Sequence, residues 1–254
     1  ILIYEALGAQ VPKFAHLGMI LAPDRSKLSK RHGATAVSDF IKEGYLTEAL
    51  LNFVALLGWS PSDGVEIKNV DEIAADFRIK ELSSSNSVFE YDKLNWMNGQ
   101  YIKKMDIKKL TDLALPFLKE YDTSLYSREK LEKIIEVTRE PITVLKDLVF
   151  DTQYFFEKPD YSEVQELLNS ELSKKVLEKF KGDIKDYDFN NTQELHDKLA
   201  DFRAYFKENY GYKPKETMWA IRAAITGRTR GADMVEILLI LGKQEVIERL
   251  EGIS

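Results

Sequence analysis

Three cations stand within five positions in Lys27-Leu28-Ser29-Lys30-Arg31, and His32 and Gly33 follow at once. A short apolar run, Phe14 to Leu21, and a turn at Pro23-Asp24-Arg25-Ser26 lead into this stretch. A cationic loop with a small hydroxyl residue and a glycine suits a dispersed anion such as a triphosphate. Lysine supplies a movable point charge there and arginine a fork of donors. Taken alone, the cluster also reads as a solvated basic loop, because short Lys/Arg runs are common.

A second concentration of charge lies near the other end. Between Arg203 and Gly231 the cations Arg203, Lys207, Lys213, Lys215, Arg222, Arg228 and Arg230 meet only Glu208 and Glu216. Tyr205, Phe206, Tyr210, Tyr212 and Trp219 are interleaved with them. Basic residues among aromatics form a surface for phosphates and unstacked bases, while each aromatic singly reads as helix core.

The elements that must carry these residues are mostly helices. Ile1 to Gly8 reads as the last turns of a helix closed by glycine, and this start in mid-element marks the chain as a fragment. Phe14–Leu21 reads as a buried strand whose sheet partners lie in a missing N-terminal part. Beyond the basic loop, Ser38 caps a helix through Ile41, and Gly44 interrupts it. Thr47 starts another, with Leu50, Phe53, Val54 and Leu57 on one face.

Asn69 with Glu72 forms a capping box. Phe89, Leu94, Trp96 and Met97 make an apolar knot. Asp106 caps a helix with Leu110, Leu113 and Ala114 inward, which Pro116 ends. Leu131, Ile134, Ile135 and Thr138 keep the helical period, and Leu145, Leu148, Val149 and Phe156 do so in the next. Ser162 to Phe180 reads as one amphipathic segment and Lys181 to Asn191 as a linker. Asn191 and Glu194 open a helix with Leu195, Leu199, Phe202 and Phe206 inward. Two more helices follow, around Met218–Ile225 and Met234–Leu241, and a short one ends the chain.

The bulk numbers agree with a soluble globular protein of one to two domains. The chain has 254 residues, 44% hydrophobic and 31% charged, and a net charge of −6. No apolar run approaches the roughly 20 residues of a membrane span. The absence of cysteine rules out disulfides and thiolate metal sites. His16, His32 and His196 are far apart and lack ligand spacing, so no metal site is predicted.

Four stretches, in order along nearly the whole chain, resemble bacterial-type glutamyl-tRNA synthetase, a class I enzyme. Phe14-Ala15-His16-Leu17 through Leu21, with Asp24 and Lys27 to Ala34, looks like the last catalytic-domain strand running into the family's basic signature loop. Ala55-Leu56-Leu57-Gly58-Trp59-Ser60-Pro61 looks like a helix end of the stem-contact domain. Phe89, Lys93-Leu94-Asn95-Trp96-Met97-Asn98 and Tyr101-Ile102 match its exit toward the anticodon-binding region. Trp219, Arg222, Ile225-Thr226-Gly227, Glu236-Ile237-Leu238 and Leu241-Gly242-Lys243 resemble the last helical unit.

The resemblance implies a mainly α fold. A remnant of a class I α/β catalytic domain at 1–36 precedes a stem-contact domain at 37–102. All-helical anticodon-binding subdomains follow at 103–187 and 188–254. The related glutaminyl enzymes carry a β-barrel in that place. The implied activity is attachment of glutamate to its tRNA through an ATP-activated adenylate, with ATP and Mg2+ required by the full-length enzyme. The nucleotide-binding half is not in this sequence, so the fragment alone is expected to be inactive. A stand-alone helical tRNA-binding module is the alternative. It gives no reason to keep the lysine loop.

Residue by residue, the resemblance makes Lys30 the lysine that contacts ATP, assisted by Lys27, with Ser29, Arg31 and Gly33 forming the rest of the loop. Arg222, Arg230, Gly231, Ala232, Met234 and Val235 fall where family members contact the first two anticodon bases. Some relatives have Thr-Pro where this chain has Gly231-Ala232. Arg139 resembles the arginine that reads the third base, and a salt bridge to Glu136 or Glu140 is its other reading. The implied partners are glutamate tRNA, with glutamine tRNA left open, and ATP and glutamate through the catalytic half. A cytoplasmic monomer without membrane contact is expected.

Overall fold

The computed structural model describes residues 1–253, with the Lys30 side chain outside that description. The chain divides into two compact units, Ile1–Tyr101 and the residues from Ile102 onward.

In the first unit, a short helix α1 (Leu2–Ala6) buries none of its residues. The segment after it is not the buried strand its composition predicts. Phe14 and Leu17 are 58% and 61% exposed, and only Ile20–Leu21 form a strand, β1. Its partner lies downstream in this chain: β2 (Ser87–Val88) pairs parallel with it, Ile20 opposite Ser87 and Leu21 opposite Val88. The reason is local. Gly18 lets the backbone pass so close to the Ser85 carbonyl that a Cβ would collide with it, and the Met19 N–H donates to Asn86 Oδ1 at 2.8 Å. Backbone contacts with 85–88, rather than side-chain burial, fix this segment.

α2 (Val37–Glu43) begins one residue before Ser38, because the N–H groups of Asp39 and Phe40 already bond to the Ala36 carbonyl. Ser38 is therefore inside the helix and does not cap it. Gly44 ends α2 at φ +94°, a left-handed conformation that costs glycine nothing. α3 (Thr47–Leu56) buries Leu50 and Phe53, whereas Val54 is exposed, so the apolar face is narrower than expected. The amide of Leu46, at its start, is satisfied from far along the chain by Asn98 Oδ1 at 2.8 Å.

The capping box forms as predicted at the head of α4 (Val70–Asp76). Asn69 Oδ1 accepts from the Glu72 N–H at 2.9 Å and Glu72 Oε2 from the Asn69 N–H at 2.7 Å. α5 (Tyr91–Lys104) follows β2. Phe40, Leu50, Phe53, Phe89, Leu94 and Met97 form the core, with Phe89 centred 4.9 Å from Phe53 and 5.6 Å from Phe40. Trp96, expected in the knot, is half exposed.

A buried polar knot joins three elements of this unit. Asn52 Oδ1 accepts the Lys68 N–H at 3.0 Å and lies 2.7 Å from the Tyr101 hydroxyl. Lys68 Nζ reaches Asp63 at 2.7 Å. Burial raises the Tyr101 phenol to about 12. Between the free phenol's value near 10 and 12, the unfolded chain releases this proton while the folded chain keeps it. The stability it contributes is therefore complete below pH 10 and lost as pH rises toward 12. In thermal melts above pH 10 the wild type is expected to lose stability more steeply with pH than Tyr101→Phe, so that the gap between them narrows. Parallel curves would contradict this.

The second unit is all helix. α6 (Ile107–Ala114) is capped by Asp106, which accepts from Lys108 and Lys109 N–H. Leu110 and Ala114 are buried, while Leu113 faces outward, contrary to expectation. Pro116 sits in a tight turn, Leu115–Phe117, that closes α6. α7 (Arg128–Thr138), capped by Ser127, buries Leu131, Ile134, Ile135 and Thr138 as predicted. α8 (Asp147–Phe156) follows.

The expected single segment over 162–180 is two helices, α9 (Gln165–Asn169) and α10 (Glu171–Asp183). Ser170 breaks it, donating its hydroxyl to the Leu167 carbonyl and accepting the Ser173 N–H. The tract 181–191 is no loose connection. α10 runs into it, and Ile184 and Tyr187 are buried.

α11 (Thr192–Tyr210) opens at Asn191 and buries Leu195, Leu199, Phe202 and Phe206, as predicted. α12 (Pro214–Thr226), α13 (Met234–Leu241) and α14 (Lys243–Glu251) complete the unit. One hydrophobic core runs through it, from Ile134 and Phe155 by way of Phe180, Phe206 and Ile221 to Leu238 and Leu250.

Candidate nucleic-acid interface and basic loop

The basic loop of the first unit is held from one side by a histidine. After β1, Arg25 takes φ +62° in a tight turn, and Lys27 bridges back to Leu21. The Ser29 N–H donates to His32 Nδ1 at 3.2 Å, with its hydroxyl 3.1 Å from the same nitrogen. His32 Nε2 lies 3.4 Å from Ser26 Oγ, 3.7 Å from Asp24 Oδ2 and 3.2 Å from Arg31 Nε. Hydrogen bonds from the Ser26 hydroxyl and amide, together with the charge of His32, hold the Asp24 carboxyl below its ordinary range.

Gly33, at φ +115°, leaves room for Tyr91, whose hydroxyl donates to the Ala34 carbonyl at 3.0 Å. Lys27 and Arg31 are exposed and Ser29 is half-buried. The backbone of Lys30 opens the turn Lys30–His32, and its side chain lies outside the described residues. The sequence readily shows the cations; it shows His32 as the loop's anchor only through Asp24, Ser26 and Ser29 nearby.

In the second unit, a cleft of about 890 Å³ opens between the end of α7, the outer face of α8 and the 228–233 connection into α13. Of the residues predicted to contact anticodon bases, Arg230, Gly231 and Ala232 line it. Met234 and Val235 do not: both side chains are in the core, because they open α13 on the side that packs inward, while Glu236 turns to the cleft. Asp233 caps that helix, accepting the Val235 N–H at 2.8 Å.

Arg222 lies below the cleft. Its Nη1 is buried without a hydrogen-bond partner, as is the hydroxyl of Tyr154. Both border Gly231, where a Cβ would stand 3.3 Å from Arg222 Nη1 and 3.4 Å from Tyr154 Oη. Burial lowers the basicity of Arg222 and raises the Tyr154 phenol.

Arg139 is tied down at the end of α7. It donates to the Met105 carbonyl at 3.0 Å and pairs with Glu136 at 2.8 Å. Its neighbours Glu136 and Glu140 line the cleft.

On the opposite wall stand Arg228, noted in the sequence only as one cation of the basic stretch, and Phe150, which the sequence reading did not single out. The guanidinium carbon of Arg228 lies 3.6 Å from the centre of the Phe150 ring. Arg228 also donates to Gln153 Oε1 at 3.1 Å and stands 3.9 Å from Asp151. Burial lowers Arg228 and raises Asp151, and their mutual attraction opposes both shifts. The signal for Phe150 was its position off the apolar face set by Leu145, Leu148, Val149 and Phe156.

The aromatics of the basic stretch divide. Phe206 is core, whereas Tyr205 and Tyr210 are exposed, with Lys179 and Lys175 over their rings.

Carboxylates are as prominent in the cleft as cations: Glu136, Glu140, Glu163 and Glu236 face it beside Arg228 and Arg230. Such a lining repels a phosphate backbone but can accept hydrogen bonds from the amino groups of base edges, as arginine can donate to their carbonyl and ring-nitrogen atoms. Among the described residues, no group of three or more His, Cys, Asp or Glu stands together to hold a metal ion. No helix among them is long and apolar enough to cross a membrane.

Two family models match the chain: tRNA synthetases class I (E and Q), catalytic domain, over residues 1–96, and anticodon binding domain over residues 109–253. Together they define a class I tRNA synthetase segment joined to its anticodon-binding helices. The chain belongs, over its larger part, to the anticodon binding domain family, and along its whole length it is similar to glutamate–tRNA ligases. It is 41% identical to Glutamate--tRNA ligase 2 of Caldanaerobacter subterraneus subsp. tengcongensis, covering 100% of this chain and 53% of the relative.

Glutamate--tRNA ligase 2 of Thermoanaerobacter pseudethanolicus is 39% identical, over 99% of this chain and 53% of its own length. Among solved structures, a glutamate tRNA ligase from Elizabethkingia meningosepticum in complex with its amino acid superposes with a TM-score of 0.81. It has 28% identity and covers 100% of this chain and 54% of that one. The chain thus spans about half the length of the curated relatives it matches.

Proposed function

We propose that this chain is the C-terminal part of a glutamate–tRNA ligase. In this reading the second unit reads anticodon bases and the first supplies the loop that contacts ATP. The functional segments are 1–36, 37–102, 103–187 and 188–254. One observation carries the reading most directly. Within the segment that matches an anticodon-binding family, Arg230, Gly231 and Ala232 converge on a largely apolar cleft edged by arginines and carboxylates that can meet base edges.

Bases splayed from the anticodon loop expose their hydrogen-bonding edges. Arg230 and the backbone at Gly231 and Ala232 would meet two of them. Arg222 supports that wall, and Met234 and Val235 hold α13 in place behind it. Arg139 would reach the third base by exchanging Glu136 for it, and a planar guanidinium can tell one base edge from another.

In the first unit, Lys30 and Lys27 would follow the charge that builds on the phosphate oxygens of ATP as the glutamate carboxylate attacks. Arg31 would add donors, and Ser29 would hold the turn through His32. Mg2+ accompanies ATP in this class. The full-length ligase acts in the cytoplasm as a monomer on this reading.

The test is binding of the chain to glutamate tRNA transcripts, wild type and substituted at each anticodon position, at one fixed salt concentration because phosphate contacts are salt-dependent. Weakening by roughly tenfold per substituted base is the expected result, since each mismatch costs about 1–3 kcal/mol where base edges are read. Equal binding to every transcript would leave only electrostatic attraction and end the anticodon reading.

A further inference from the structure

Phe150 is 61% exposed although it belongs to a helix whose neighbours Leu148, Tyr154 and Phe155 are buried. Its ring lines two adjoining spaces: the large cleft and a smaller pocket of about 100 Å³ beside Gly227. One face of the ring is taken by Arg228, 3.6 Å from its centre. That guanidinium has its edges engaged by Gln153 and Asp151, both on the same helix as Phe150. Bonded to Gln153 and drawn toward Asp151, it keeps its flat face against Phe150. What remains open on the ring is the face and edge turned to the cleft.

We propose that Phe150 is a stacking platform for one unstacked base of the anticodon loop, with Arg228 fixed behind it. This rests on the anticodon-binding reading and adds a residue to it. The ring carries negative charge density on its faces. A cation held on one face draws on that density, and the opposite face then accepts the electron-rich face of a nucleobase with less repulsion. A platform of this kind tolerates any base. It therefore holds a splayed loop in position while the polar groups of the cleft inspect base edges. The division of labour explains why a large apolar ring stands in the open in a carboxylate-lined cleft.

The experiment uses glutamate tRNA transcripts carrying 2-aminopurine at each anticodon-loop position in turn, because its fluorescence is quenched by stacking. They are titrated with the chain, with Phe150→Tyr and with Phe150→Leu at fixed salt, and each variant's melting is recorded. Because the ring is exposed, both variants should melt as the wild type does.

The expected result is quenching at one position by wild type and Phe150→Tyr, its loss with Phe150→Leu, and about tenfold weaker binding by that variant. Anticodon-dependent binding that Phe150→Leu leaves unchanged, or quenching that survives it, overturns the platform and leaves the anticodon reading standing. Wild-type binding that ignores the anticodon overturns both, and it is recognised before any variant is made.

Discussion

Gly227→Ala is expected to lower the melting temperature of the C-terminal unit by roughly 4–20 °C and to remove anticodon-dependent binding with it. Gly227 closes α12 at φ +70°. A Cβ there would collide with the Asp160 carbonyl and press on Pro159 Cβ, 3.2 Å away. Two costs combine. The left-handed conformation costs an L-residue about 1–2 kcal/mol, and moving a packed backbone costs about 1–3 kcal/mol more. For a unit of this size each kilocalorie shifts the midpoint by about 2–4 °C, which gives the range stated.

The segment at risk also carries function. The Tyr161 hydroxyl donates to the Ala224 carbonyl at 3.0 Å, so the 159–162 loop and the end of α12 are fastened together. Arg228, the cation behind Phe150, is the next residue. Gly211 is the control. It has nearly the same conformation, φ +69°, and nothing within 4 Å of its missing Cβ. Gly211→Ala should therefore lose only the conformational cost, about 1–2 kcal/mol. Differential scanning calorimetry of both variants decides the matter. Equal losses would mean that the contact with Asp160 contributes nothing.

How much of this was legible beforehand depends on how local each signal is. Asn69 with Glu72, Asp106 and Asn191 announce helix starts through bonds made within three residues, and all three cap as predicted. The inward face of α11 was readable for the same reason, because four apolar residues at helical spacing need only a core on one side. Failures came where the deciding contact is distant in sequence. Nothing near Phe14 or Leu17 says that their segment is fastened by its backbone to Ser85 and Asn86 rather than by their side chains. Nothing in 162–180 distinguishes Ser170 as a helix break from Ser173, a buried serine three residues on.

The site was readable to a similar degree. Arg230, Gly231 and Ala232, which the family resemblance singles out, line one cleft. Met234 and Val235 continue that run in sequence, but α13 begins there and turns them inward. Phe150 and Tyr154 lie about eighty residues upstream of Gly231 and join it only through tertiary packing, so proximity in sequence could not reveal them. His32 shows the opposite limit. It sat inside the basic loop, and its lack of metal-ligand spacing drew attention away from the hydrogen bonds by which it holds Ser29.

Lys30→Ala in the full-length enzyme is the substitution with the largest expected effect on chemistry. Glutamate-dependent exchange of pyrophosphate into ATP should fall by about 10²–10³-fold, the usual loss when one group stabilising transition-state charge is removed, while the dissociation constant for tRNA stays within about twofold. The asymmetry follows from where the charge goes. As the carboxylate attacks the α-phosphate, negative charge grows on oxygens that a lysine in this loop can follow, so its contribution is greater in the transition state than with ATP merely bound.

The loop's construction favours such a role. Ser29 and His32 hold the turn on either side of residues 30 and 31, and Gly33 ends it. The cleft at Arg230 belongs to the other unit. Lys27→Ala separates position from net charge: it removes the same charge three residues away and should cost much less. Equal losses from the two variants would reduce the loop to a general electrostatic attraction for ATP. A parallel loss of tRNA affinity in Lys30→Ala would show that the loop binds RNA rather than nucleotide, and the assignment of Lys30 would fall.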